Sequence, residues 1–131
     1  MDGAPDPFGG VWVVARRPLM RLRGLAGRSP DRTTLVLPRC RDVHTFTMRQ
    51  GIDIAFLDRN GVVMAVHRMV LPKTRLRHPK AATVVERFAR PGPWLVRGDV
   101  CLFGSVSRKG FQRERSGTDE TMPRLRKRAV R

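Results

Sequence analysis

Tyrosine is absent and aromatic residues make up only 6% of the chain. No run alternates basic with aromatic residues in the manner of a base-stacking platform. Cysteine is scarce. Cys40 and Cys101 are the whole supply, which excludes a disulfide-built scaffold and leaves at most one bridge between them. Long apolar runs are missing as well. The longest near the N-terminus, Val11 to Ala15, has five residues, against ~7–15 for a secretory core and ~20 for a membrane helix. Asp2 and Asp6 stand where a signal peptide carries basic residues, so the expectation is a cytoplasmic protein with reduced thiols and no membrane partner. The chain has no phosphate loop, dinucleotide fingerprint or paired metal-binding cysteines, and Ser105 and Ser107 lack the glycine-flanked elbow of a hydrolase nucleophile. Acidic residues are few, 11 against 27 Lys and Arg, and the formal charge is +16. That excludes an acidic module and makes polyanions the default non-specific partners.

What is present suffices for one domain. A chain of 131 residues can bury roughly two-thirds of its unfolded surface, and 40% hydrophobic content is too high for a wholly disordered chain. Met1 to Gly10, without a period, reads as a flexible leader. Val11 to Arg17 is apolar on both faces and reads as a buried strand. Pro18 suits a first helical position, Leu19, Leu22 and Leu25 recur on one helical face, and Gly27 is a natural stop, which predicts a short helix at about 18–27. Thr33 to Leu37 is a short strand. Val43 to Met48 and Ile52 to Asp58, separated by Arg49-Gln50-Gly51, read as a hairpin, and Asn60-Gly61 turns the chain into a third strand, Val62 to Leu71. Pro72 to Lys80 reads as an exposed connection, followed by strands Thr83 to Phe88 and Val100 to Val106.

From Ser107 onward nine basic residues face three acidic ones, a net +6, with too few apolar side chains to offset the entropy of ordering. The expected organisation is therefore a leader over 1–10, one domain over 11–106 and a disordered basic tail over 107–131. The fold class is mainly β (α+β), a small antiparallel β-barrel or sandwich-like domain with one short helix, because six or seven short strands need protected edges.

Three segments carry a resemblance. Arg21-Leu22-Arg23-Gly24-Leu25-Ala26-Gly27-Arg28, then Cys40-Arg41-Asp42-Val43-His44-Thr45-Phe46-Thr47-Met48, then Ile52-Asp53-Ile54-Ala55-Phe56-Leu57-Asp58-Arg59-Asn60-Gly61-Val62-Val63, followed by Val85-Glu86, Pro91-Gly92 and Gly98-Asp99, resemble the domain of unknown function family 192 over about residues 11 to 105. The resemblance implies a compact β-rich fold with a short helix packed on it, and it implies no established activity. Ala26 stands where the family usually has Met, and Pro91-Gly92-Pro93 is more proline-rich than the family's pattern.

Cys40, His44 and Met48 form a soft-ligand set at spacing four. On a strand, four residues span roughly 13 Å, so one metal cannot be reached by all three, and neither metal nor cofactor is expected. If Gln50-Gly51 closes the hairpin, Met48 faces Asp53 and His44 faces Leu57, placing His44, Phe46, Met48 and Asp53 on one sheet face. Buried unpaired, the His and Asp are costly, so they either bond other groups, a third group such as Arg28 or Glu86 included, or line a pocket. Glu86, alone in an apolar strand, reads as a structural partner of Arg28, or as one half of an acid–base pair with His44 or Asp53. Asp58 and Asp99 read as turn residues. The candidate binding residues are thus His44, Thr45, Met48 and Asp53, bordered by Arg28 and Glu86. They define a non-enzymatic ligand-binding or accessory module, expected to be monomeric and to take a small anionic or sugar-like ligand. The alternatives are a nucleic-acid-associated protein using the tail and a small hydrolase using His44 with a carboxylate.

Overall fold

A computed structural model describes residues 3–16, 24–25, 29–102 and 105–108. Among these residues ten strands follow in chain order: β1 Gly3–Pro5, β2 Val11–Val14, β3 Thr33–Pro38, β4 Asp42–His44, β5 Ile52–Leu57, β6 Val63–Val70, β7 Arg75–Arg77, β8 Thr83–Phe88, β9 Val100–Leu102 and β10 Ser105–Ser107. Six of them form one sheet in the order β1-β2-β3-β8-β5-β6, while β4 pairs with β7 and β9 with β10. Every pairing is antiparallel except β2 with β3.

The mainly β class holds, but no barrel closes among the described residues, because the large sheet ends at β1 on one side and β6 on the other. No helix occurs among the described residues, and the one expected at 18–27 lies outside them apart from Gly24 and Leu25, which sit in a turn. No helix there is long and apolar enough to cross a membrane. The expected leader contributes an edge strand. Gly3–Pro5 pairs with β2, and buried Asp6 accepts a 2.6 Å hydrogen bond from the Thr34 hydroxyl. At the other end Ser107 completes β10, and Arg108 makes a two-pronged ion pair with buried Asp99. The rest of the expected tail, 109–131, lies outside the described residues.

The central hairpin follows its turn chemistry. The Asp58 carboxylate accepts the Asn60 and Val62 N–H groups at 2.8 and 3.0 Å, and Gly61 takes the left-handed conformation, φ +82°, that favours glycine. The hairpin expected around Arg49-Gln50-Gly51 does not form. Both edges of β5 are taken, by β6 and β8, so the preceding strand has no ladder to join there. It ends at His44 and pairs instead with Arg75–Arg77, inside the segment expected to be a bare connection.

Strand alternation gives the sheet two apolar faces. Leu35, Leu37, Ile52, Ile54, Phe56, Val84 and Phe88 belong to one core, against which Leu25, Val43 and Leu76 pack. Ala55, Leu57, Val85 and Trp12 belong to the other, with Trp94, Leu95, Cys101 and Val106. β5 feeds both and is buried along its whole length, each large side chain contributing about 1.5–3 kcal/mol. Cys40 packs against the first core and Cys101 lies in the second, and no disulfide bridge joins them.

Candidate functional site

The register that pairs Asp53 with Arg87 also pairs Ile54 with Glu86, so the two candidate carboxylates point to opposite faces of the sheet. Asp53, 1% exposed, accepts Arg87 Nε at 2.9 Å on Oδ2. Its Oδ1 accepts the Met69 N–H at 2.9 Å and lies 3.3 Å from Arg68 Nε. Met69 has a φ of +54°, at the register shift opposite Ile52 and Ile54, so this carboxylate both neutralises a buried guanidinium and caps a bulge. The Arg87 guanidinium lies 4.8 Å over the Trp94 ring, and burial pushes its pKa down to about 10 against the pull of Asp53.

Glu86 is buried on the other face, where the Leu25 N–H donates to its carboxylate and burial pushes its pKa up to about 7. Gly24 lies against it with φ +57°, and a Cβ there would sit 2.9 Å from Glu86 Oε1. The Gly24-Leu25 dipeptide is therefore shaped to cover a carboxyl group. Arg28, the expected partner of Glu86, lies outside the described residues. On the opposite core, burial followed by the Asp99 charge pushes the Cys101 thiol up to about 12.

His44 is elsewhere. At the end of β4 it is exposed, its ring stacked on Phe46 with centroids 5.1 Å apart and planes 23° apart. Thr45 between them turns inward and is 1% exposed. Its hydroxyl donates to the Leu71 carbonyl at 2.7 Å and accepts the Thr74 N–H at 2.9 Å, while its own N–H donates to Thr74. The buried anchor holds its two ring-bearing neighbours out in solvent, Phe46 at 54% exposure. Met48 packs half-buried against the first core, its N–H donating to the Thr45 carbonyl. His44, Met48 and Asp53 therefore do not share a face, because β4 never joins β5. Among the described residues no carboxylate hydrogen-bonds His44, and no three His, Cys, Asp or Glu side chains gather as a metal site.

The surroundings of the ring pair are basic. Arg75 binds Asp42 through Nε and Nη2 at 3.0 and 2.6 Å, which lowers the Asp42 pKa and raises that of Arg75. Arg41, Lys73 and Arg77 are exposed beside it, and Asp42 is the single acidic residue between Pro38 and Asp53.

Residues 11–89 match the family model DUF192, described as Uncharacterized ACR. The chain belongs to the DUF192 family. Two solved structures share the fold, each 18% identical to this chain, covering 66% of it with a TM-score of 0.52. One is a protein of unknown function from Novosphingobium aromaticivorans DSM 12444, 70% of which is covered. The other, from Sinorhizobium meliloti 1021, is described as a "putative transcription regulator", and 78% of it is covered. No curated protein matches. The DUF192 region of this chain contains His44, Thr45, Asp53, Glu86 and Arg87, whereas Arg90, Trp94 and the β9–β10 hairpin follow it.

Sequence reasoning passed over Arg87 and its neighbours Arg68 and Trp94, although a signal was there. Glu86-Arg87 puts two adjacent charges inside a strand of apolar residues, and alternation sends one to each face, so each core has to accommodate one.

Proposed function

We propose that this DUF192 domain is a non-enzymatic binding module for single-stranded nucleic acid, engaged at the His44–Phe46 end of the β4–β7 sheet. One observation carries the reading: two stacked rings stand in solvent, with His44 opposite Arg75 in the β4–β7 register, Lys73 bonded through its N–H to the Thr45 carbonyl between the rings, and Arg77 two positions along β7. Rings offer bases a face to stack on, and the cations track the phosphates. The carboxylates that acid–base chemistry with His44 needs are occupied in the cores, Asp53 by Arg87 and Glu86 under Leu25, which weighs against a hydrolase. The name of the Sinorhizobium neighbour agrees with a nucleic-acid role. This reading moves the interface from the C-terminal tail to the folded part of the chain.

The test is titration of a fluorescent oligothymidylate with the full chain at about 50 and 200 mM salt, where phosphate contacts make affinity fall steeply. Phe46→Ala is expected to weaken binding about tenfold at the lower salt, the worth of a stacked base, and a chain ending at Arg108 is expected to keep that sensitivity. Unchanged affinity in Phe46→Ala, or binding that disappears with the tail alone, overturns the proposal.

A further inference from the structure

Among the described residues, the five buried side-chain polar atoms without a hydrogen-bond partner are all N–H donors: Trp12 Nε1, Arg87 Nη1, Arg90 Nη1, Trp94 Nε1 and Arg108 Nη1. Unpartnered buried donors are costly, and a native interior holds few of them. Three belong to one neighbourhood on the sheet face that carries Asp53. Arg87 lies over the Trp94 ring, its Nη2 reaches the Arg90 carbonyl at 3.4 Å, and Arg68 stands 6.0 Å from the same ring. Arg90 Nη2 donates to the Phe8 and Gly9 carbonyls at 3.1 and 2.7 Å, and a Cβ on Gly9 would lie 3.4 Å from Arg32 Nη1 and 3.8 Å from Arg90 Nη2. Four guanidinium groups thus stand around two carboxylates, and both carboxylates are engaged. Asp53 holds Arg87, Arg68 and the Met69 N–H, and Asp6 holds the Thr34 hydroxyl and the Phe8 N–H.

We infer that this arginine cluster is a binding site for a small tetrahedral oxyanion of the phosphate or sulfate class, held by Arg87, Arg90 and Trp94. The donors are of one kind and the charge surplus is of one sign, which is the complement of a group that only accepts hydrogen bonds and carries negative charge. Arg87 is 1% exposed and locked by Asp53 and Trp94, so its free Nη1 is fixed in place rather than swept through solvent. Mutual repulsion supports the same reading. After burial, the Arg32 charge holds the Arg90 pKa below its ordinary value, and an anion relieves that conflict.

The experiment is calorimetric titration of the full chain with inorganic phosphate, with chloride at matched ionic strength as the control. Two conservative variants accompany it: Arg90→Gln, and Trp94→Phe, which keeps a ring under Arg87 and deletes the N–H. Wild-type protein is expected to bind phosphate saturably with a dissociation constant below about 1 mM, weakened about tenfold in Arg90→Gln and several-fold in Trp94→Phe. Phe46→Ala is expected to leave phosphate affinity unchanged, which separates this site from the ring face. Adenosine monophosphate and adenosine form a second arm. Tighter binding of the monophosphate with adenosine silent assigns the oxyanion to a nucleotide, and equal or weaker binding assigns it to free phosphate. A response matched by chloride, or wild-type affinity in a folded Arg90→Gln variant, overturns the inference.

Discussion

Arg87 and Asp53 face each other across the β8–β5 ladder, Nε to Oδ2 at 2.9 Å, with both side chains 1% exposed. The pair joins two interior strands of the large sheet and, through Asp53 Oδ1, also secures the bulge at Met69 in β6. It sits in a row that continues through Thr34, the register partner of Arg87, to Trp12, the partner of Thr34. One carboxylate therefore ties three adjacent strands.

Asp53→Ala leaves the Arg87 guanidinium buried without its carboxylate and the Met69 N–H without an acceptor. Breaking a buried pair from one side costs about 3–5 kcal/mol, and urea denaturation is expected to show a loss of that size. Arg87→Met, which retains apolar contact with Trp94 and leaves Asp53 with Arg68 and Met69, is expected to cost less. Equal losses would show that the guanidinium rather than the carboxylate organises the row.

Glu86 makes stability depend on pH in an unusual direction. Its pKa in the folded chain, about 7, lies above the ordinary 4.5, so between those values the folded state holds a proton that the unfolded state has lost. Unfolding free energy falls as pH rises through that window and levels off above it, with a total of about 3 kcal/mol. Glu86→Gln keeps an acceptor for the Leu25 N–H and removes the titration. Its melting temperature is expected to exceed that of the wild type at pH 8, with the difference vanishing near pH 4. A gap that does not change with pH would rule out burial of a titrating carboxyl.

Thr45→Val removes the hydroxyl that serves the Leu71 carbonyl and the Thr74 N–H. The expected cost is about 1–3 kcal/mol, concentrated in β4 and β7. Hydrogen exchange is expected to accelerate at Asp42–His44 and Arg75–Arg77 while Ile52–Leu57 stays protected, because β5 is held by its own neighbours. Uniform acceleration across all three strands would show that the small sheet is not a separate cooperative unit.

The sequence made part of this fold legible. Thr83–Phe88 has the bounds its β-branched residues imply, and the strands expected at Ile52 to Asp58 and Val62 to Leu71 form over Ile52–Leu57 and Val63–Val70, joined by Asp58-Arg59-Asn60-Gly61, whose chemistry is local and needs no partner. Asp53 and Glu86 stood out because a carboxylate inside an apolar strand requires an explanation. Their partners were not legible. Pairing Asp53 with Arg87 needs β5 beside β8, 34 positions apart, and covering Glu86 needs the Gly24-Leu25 turn brought onto β8. The segment after Val43 departs from its expected pairing for the same reason. Its residues favour a strand, but which strand it joins depends on which edges are already taken.

By itself, then, the sequence determined what is encoded by nearest neighbours: strand-forming runs, the Asn60-Gly61 turn, the charge excess and the family motif. The tertiary structure alone decided which charges share a face. A single residue of register separates Asp53 from Ile54 and Arg87 from Glu86, and alternation converts that step into opposite sides of a sheet. It also set the β7 arginines opposite the His44–Phe46 segment and assembled the arginine cluster from segments far apart in the chain, contacts that depend on packing and that no local pattern carries.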